Sequence, residues 1–249
     1  MGSSQNLPGS EAITGLSIAE DLGITPLINA GGPNTKHSGS RPRPESIAAM
    51  EAMSEVFVDI DELLLAAGER IAELTGNEAA TITSGASGGL VVQAAAAMAK
   101  DDPERISQLP IVDGMPSELI IQRGHRFIYD HLYLAPGSRF VEVGLPTGST
   151  IDEIEAAIGP NTAGLIHLES PFKQGLGVPL TDLSELAHAH GLPVLADCAS
   201  MLPPRENLTK YTGQGADLVS FSGGKAVRGP QSTGFLVGKA EWIEYARLN

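Results

Sequence analysis

Three short stretches place reactive or ligand-holding residues directly after apolar runs. The first is Thr83-Ser84-Gly85-Ala86-Ser87-Gly88, a Gly/Ser turn between a strand-like run and a helix-like one. Open backbone amides and a helix dipole at such a turn suit a phosphate, and the hydroxyls add donors. An ordinary tight turn has the same composition. The spacing is not G-x-G-x-x-G, which disfavours a dinucleotide. The second stretch is Leu192-Pro193-Val194-Leu195-Ala196-Asp197, a buried-type run ending on a carboxylate. A carboxylate there needs a partner, either a ligand cation or a backbone cap. The third is Ser220-Phe221-Ser222-Gly223-Gly224-Lys225. A lysine held partly out of water loses its proton more easily and becomes a nucleophile towards carbonyls. A surface lysine is the plain alternative. A P-loop is excluded, because Val219 stands where its first glycine belongs and Ala226 replaces Ser/Thr.

Taken together the three describe one ligand. It has a phosphate arm, a ring nitrogen that is kept protonated, and an aldehyde for a lysine. Pyridoxal 5′-phosphate (PLP) has all three.

These residues need elements to hold them. Strand-like runs cover residues 78–83, 118–122, 138–143, 163–168, 194–197, 217–222 and 233–237. Residues 44–75 read as two helices, with apolar positions such as Leu63, Leu64, Ala67, Ile71 and Leu74 at helical spacing and Gly76 as the stop. An Ala-rich helix runs to Met98. Thr150 with Glu153 forms a capping-box start for a helix to Ile158, and residues 181–190 form another helix, closed by Gly191. Residues 101–116, rich in Pro and Asp, read as a loop. Strands apolar on both faces and alternating with helices predict an α/β fold, with a mostly parallel, mixed sheet of seven strands flanked by helices. The polar, Gly/Ser-rich residues 1–14 read as a loose arm.

Composition narrows the function. The chain has 249 residues, 16 basic and 30 acidic, for a net charge of −14. That balance opposes a general polyanion binder. With 42% apolar residues, disorder is excluded. No run approaches the ~18 apolar residues of a membrane span, and the first 20 residues lack a signal-peptide pattern. Met1-Gly2 fails as a myristoylation site, because position 6 is Asn. Cytoplasmic location is the expectation. The single cysteine, Cys198, excludes an intrachain disulfide and reads as a small buried residue. His188 and His190 are two apart on a helix and do not share a face. Asp59, Asp61 and Glu62 read as a helix start, and Pro203-Pro204 as a rigid turn. No metal site is expected.

The order glycine turn, Asp, Lys resembles that of fold type I PLP-dependent enzymes. Within them the chain resembles the selenocysteine synthase-like group, which includes L-seryl-tRNA selenium transferase and D-glucosaminate-6-phosphate ammonia-lyase. The similar stretches are Ile28-Asn29-Ala30-Gly31-Gly32, Gly39-Ser40-Arg41, residues 71–76 with 83–86, Gln122-Arg123-Gly124-His125, Tyr129-Asp130-His131 and residues 197–204. The most specific is Phe221-Ser222-Gly223-Gly224-Lys225-Ala226-Val227-Arg228-Gly229-Pro230-Gln231-Ser232-Thr233-Gly234.

The resemblance implies a PLP-binding, transferase-like large domain over residues 24–249, preceded by an arm over 1–23. It implies that Lys225 is the Schiff-base lysine and general base, and that Asp197 pairs with the ring nitrogen. Ser84, Gly85 and Ala86 hold the phosphate with help from Ser222, and His125 stacks on the ring. Ser200 reaches the ring hydroxyl. Arg41, Arg123 and Arg228 are candidates for a substrate carboxylate or phosphate. The implied reaction is α,β-elimination with deamination of a small amino acid or amino sugar acid, phosphorylated in some relatives. The alternatives are selenium or sulfur transfer to a seryl-type substrate, or a non-catalytic truncated protein of this fold. The group carries a further small C-terminal domain, which is expected to be missing here, since the sequence stops at Asn249 soon after a helix starting near Lys239. The group builds its sites between subunits, so a homo-oligomer is expected. Net charge −14 disfavours tRNA as a partner.

Overall fold

The computed structural model describes residues 14–249. Most of the expected loose arm, and Met1-Gly2 with it, lie outside the described residues. The chain divides into two compact units, one ending at Gly32 and the other running Pro33–Asn249. The described part of the first contains α1 (Gly15–Asp21), started by a capping box between Thr14 and Ser17.

In the second unit, seven strands form one sheet. They are β1 (Ala79–Thr83), β2 (Glu118–Gln122), β3 (Arg139–Val143), β4 (Thr162–Leu168), β5 (Val194–Asp197), β6 (Leu218–Ser222) and β7 (Gly234–Gly238). Their order is β1-β7-β6-β5-β4-β2-β3. All neighbouring pairs are parallel except those of β7, which is antiparallel to both β1 and β6. All seven expected strands are present, with ends shifted by a residue or so.

Each strand divides its side chains between two cores, as the pleat requires. Leu119, Ile121, Ile166, Leu195, Leu218 and Leu236 face one core, covered by α4 (Gly85–Ala99) and α9 (Ala240–Leu248). Ile120, Leu165, Val194, Ala196, Val219 and Val237 face the other. That core is closed by α3 (Ile60–Thr75), α6 (Ile151–Glu155), α7 (Leu180–Ala189) and α8 (Asn207–Gly213). The Ala-rich α4 lies across the middle strands, and its residues Ala94 to Ala99 are buried. Small side chains let it approach the sheet closely.

The helix signals act as read. Asp59 accepts from the amides of Asp61 and Glu62 to start α3, and Gly76 ends it at φ +73. The Thr150–Glu153 capping box starts α6. α2 (Pro44–Met53) is the first helix of the expected pair. Two helices of the second unit correct the reading. The expected loop over 101–116 contains α5 (Pro103–Gln108), because Asp102 is its N-cap and Pro103 its first residue. An Asp-Pro pair marks a helix start as well as a loop. α8 was not anticipated either.

Among the described residues, no helix is long and apolar enough to cross a membrane.

Candidate active site

Register brings the three stretches to one edge of the sheet. Thr83, ending β1, pairs with Gly234 on β7, and Gly234 pairs with Ser222, ending β6. Asp197, ending β5, pairs with Ser220 on β6 and Leu168 on β4. Beyond these ends lie the Gly/Ser turn, the loop with Lys225 and the turn after Asp197. In open sheets, ligands bind at such strand carboxyl ends.

Asp197 is buried, and Oδ1 accepts from the amide of Ala199 at 3.0 Å. Burial pushes its carboxyl above the ordinary value, with the Ala199 amide and Lys225 pulling the other way. A carboxylate so placed favours a cationic partner. Lys225 is half-buried, and its Nζ donates to Ser200 Oγ at 2.8 Å. Desolvation lowers the amine's pKa, partly offset by Asp197. Asp197 ends β5 and Lys225 lies three residues beyond the end of the neighbouring β6, and each acts on the other's charge.

At the turn, the Ser84 side chain does not cap α4, so the first-turn amides have no side-chain partner. Gly85 is left-handed at φ +75, with open space where a Cβ would stand. Gly234 permits the close approach of β7, since a Cβ there would lie 2.3 Å from the Gly85 carbonyl carbon. An uncapped helix start beside open space suits an anionic oxygen cluster.

His125 follows β2 and is buried. Its Nδ1 accepts from the Leu168 amide at 3.3 Å, and His167 meets its ring edge-on at 4.6 Å. Burial, then His167 and Lys173, lower its pKa to about 3. The ring is thus neutral, with its remaining proton on Nε2, and is fit for stacking on an aromatic cofactor.

Segment 39–43 zips onto the lysine loop. Ser40 Oγ donates to the carbonyls of Gly224 at 3.0 Å and Lys225 at 2.6 Å, and the Arg43 amide donates to the Arg228 carbonyl. Arg228, left-handed at φ +60, donates from Nε to the Arg41 carbonyl at 3.1 Å. Two of the three candidate arginines are therefore brought together beside Lys225. The third, Arg123, instead pairs with Glu142 on β3 at 3.4 Å.

Other side chains, not singled out from sequence, support the site. Gln93, buried in α4, donates to the carbonyls of Ala196 and Leu218 and accepts from Tyr133. It ties β5 to β6 one residue before Asp197. The signal for it was a single amide inside an apolar run. His167 contacts Glu169 at 3.1 Å behind His125, and the half-buried Lys173 lies on the loop after β4. Single residues of this kind carry no pattern. Cys198 is buried with its thiol pushed well above the ordinary value, which makes it inert packing. His188 Nε2 is occupied by a hydrogen bond with buried Asp217 at 2.9 Å. A cavity of about 680 Å³ between α3, β1, α4 and the end of α9 shares Ser84 with the turn but touches neither Asp197 nor Lys225.

The fold is that of the large domain of fold type I PLP-dependent enzymes. The chain belongs to the SelA family, described as L-seryl-tRNA selenium transferase, whose family model matches residues 61–249. It is 34% identical to D-glucosaminate-6-phosphate ammonia lyase of Salmonella typhimurium (strain 14028s / SGSC 2262), over 91% of this chain and 62% of that one. It is 32% identical to 5′-C-glycyluridine monooxygenase-decarboxylase of a Streptomyces species, over 92% of this chain and 58% of that one. A solved structure of D-glucosaminate-6-phosphate ammonia-lyase superposes with a TM-score of 0.87 at 33% identity, covering 93% of this chain and 63% of that one. The chain thus spans about 60% of the length of these relatives.

Proposed function

We propose that the chain binds PLP through Lys225 and catalyses α,β-elimination with deamination of a small amino acid or amino sugar acid. The observation that carries this reading is that Lys225 after β6, Asp197 ending β5, the uncapped start of α4 after β1 and the neutral His125 after β2 all lie at one end of the sheet. The donor set fits the cofactor part by part. Ser84, Gly85 and Ala86, with Ser222 alongside, present hydroxyls and amides to the phosphate. His125 offers a flat uncharged face to the ring. Asp197 holds a proton on the ring nitrogen, because a buried carboxylate favours an adjacent cation.

When bound, PLP supplies an electron sink for negative charge at the substrate Cα. The chain does the rest. Lys225, whose amine has a lowered pKa, would be the base that takes the Cα proton on Nζ. Arg41 and Arg228, exposed on the adjoining loops, are placed for a substrate anion. Arg123 serves that role only by leaving Glu142. The net reaction would release the β-substituent with its bonding pair and consume one water, giving a keto acid and ammonia. The ammonia-lyase relatives support this outcome over its rivals. The family model supports selenium or sulfur transfer as the second reading, against which the net charge of −14 weighs for a tRNA substrate.

We further propose a cytoplasmic homo-oligomer. Met50, Met53, Val56, Phe57 and Ile60 form an exposed apolar run that a second copy would cover.

The test begins by incubating the full chain with PLP, reducing with borohydride and mapping the label. Label on Lys225 is expected, with ammonia and keto-acid release from D-glucosaminate 6-phosphate or a related amino acid. Absence of label from Lys225 sinks the reading. Label without product across substrates favours the non-catalytic alternative, and retention of seryl-tRNA favours the transferase.

A further inference from the structure

We infer that Ser200 is a positioning residue for Lys225, holding its side-chain nitrogen through both of the protonation states a base must pass through. The inference rests on the reading of Lys225 as the PLP lysine.

The geometry comes from two directions. The lysine's main chain is fixed at its carbonyl, which accepts from Ser40 Oγ at 2.6 Å and from the Arg228 amide at 3.0 Å. Four rotatable side-chain bonds follow, and Nζ is tethered at their far end by Ser200 Oγ at 2.8 Å. Ser200 is itself set by the turn after β5. There the Asp197 carboxylate accepts from the Ala199 amide at 3.0 Å, and the Met201 amide donates to the Cys198 carbonyl at 3.0 Å. One turn therefore fixes both the acid for the ring nitrogen and the partner for the amine.

The chemistry of the partner matters. A hydroxyl accepts from –NH₃⁺ and donates to –NH₂, so the bond persists when the lone pair of Nζ takes the Cα proton and when it gives the proton back. A carboxylate in that position would bind only the cation and make the amine too basic to act. The charged group facing Nζ is Asp197, at the end of β5. Ser40, from segment 39–43, reaches the lysine carbonyl and not the amine. Ser200 thus supplies a neutral tether and leaves Asp197 to the ring nitrogen.

The experiment compares the full wild-type chain with S200A and S200T. Each is mixed with PLP over a range of pH. The rate of appearance of the visible band and the borohydride label on Lys225 are recorded. Condensation joins the amine to the aldehyde with loss of one water and requires the unprotonated amine. In S200A, loss of an acceptor for the ammonium should lower the pH midpoint of this rate by about half to one unit. The label should stay on Lys225. S200T should keep the wild-type midpoint. An unchanged midpoint in S200A, or equal shifts in S200A and S200T, overturns the role of the hydroxyl. Failure of the wild-type chain to label at Lys225 overturns the PLP reading instead, so the two failures are distinguishable.

Discussion

The hydroxyl of Ser40 lies 2.6 Å from the carbonyl oxygen of Lys225, 185 residues further along the chain. It also reaches the Gly224 carbonyl at 3.0 Å, so one side chain pins two consecutive peptides of the lysine loop. Both carbonyls keep a backbone donor if the hydroxyl is removed. Ser40→Ala should therefore cost about 1 kcal/mol, read as a lower urea midpoint at unchanged slope. Labelling of Lys225 by PLP and borohydride should slow as well. An unaltered midpoint with unaltered labelling would mean the tie is idle.

Lys225→Ala should abolish borohydride-stable incorporation of PLP while the chain remains folded, because the side chain is only half-buried at the sheet edge. Mass mapping and far-UV circular dichroism check the two halves. Label on another lysine in the variant, at the wild-type level, contradicts the assignment.

For Asp197→Asn, covalent capture of PLP should survive, since the lysine and the proposed phosphate turn are intact. Turnover should fall on the order of 10²-fold or more, as when a group that stabilises transition-state charge is removed. Assays of product release beside the labelling experiment separate binding from chemistry. Full turnover in the variant would remove Asp197 from the mechanism.

His125 makes stability depend on pH. Its folded pKa of about 3 lies below the ordinary 6.5. As pH falls below 6.5 the unfolded chain takes up a proton that the folded chain refuses. Stability from this group is therefore complete above about 6.5 and drains away until pH approaches 3. The loss amounts to a few kcal/mol over that window. Asp197, whose folded pKa is raised, works in the opposite direction over the acid end. Urea titrations of wild type and His125→Asn between pH 7 and 4 should show a flatter dependence in the variant. Parallel curves would refute the contribution.

Gly234→Ala tests the packing of β7 against the phosphate turn. The added methyl would sit 2.3 Å from the Gly85 carbonyl carbon and 2.6 Å from the Ala86 nitrogen. Overpacking of this kind costs about 1–3 kcal/mol. It should also displace the amides proposed to hold the phosphate, so PLP should be lost faster on dialysis. Wild-type retention and stability together would show that the contact yields freely.

Much of this was readable before folding. Strand positions followed from apolar runs, and helix starts from Thr150–Glu153 and Asp59. Local signals fail where one dipeptide serves two structures, as Asp102-Pro103 shows by opening α5 inside an expected loop. They fail again for α1 and α8, short helices without a strong apolar stripe.

Residue type and chain order alone were enough for an α/β chain carrying a Gly/Ser turn, an acid and a lysine after its strands, because each sits in a motif a few residues long. Which of those groups touch is a matter of register and topology, and only folding sets it. The antiparallel β7 brings Thr83 and Ser222 to either side of Gly234, and the turn after β5 sends Ser200 to the amine of Lys225. The same folding joins Ser40 to the lysine loop and ties Arg123 to Glu142. Such contacts span tens to hundreds of residues and have no local pattern, since they arise where the pleat and the strand order happen to bring distant peptides within a hydrogen bond.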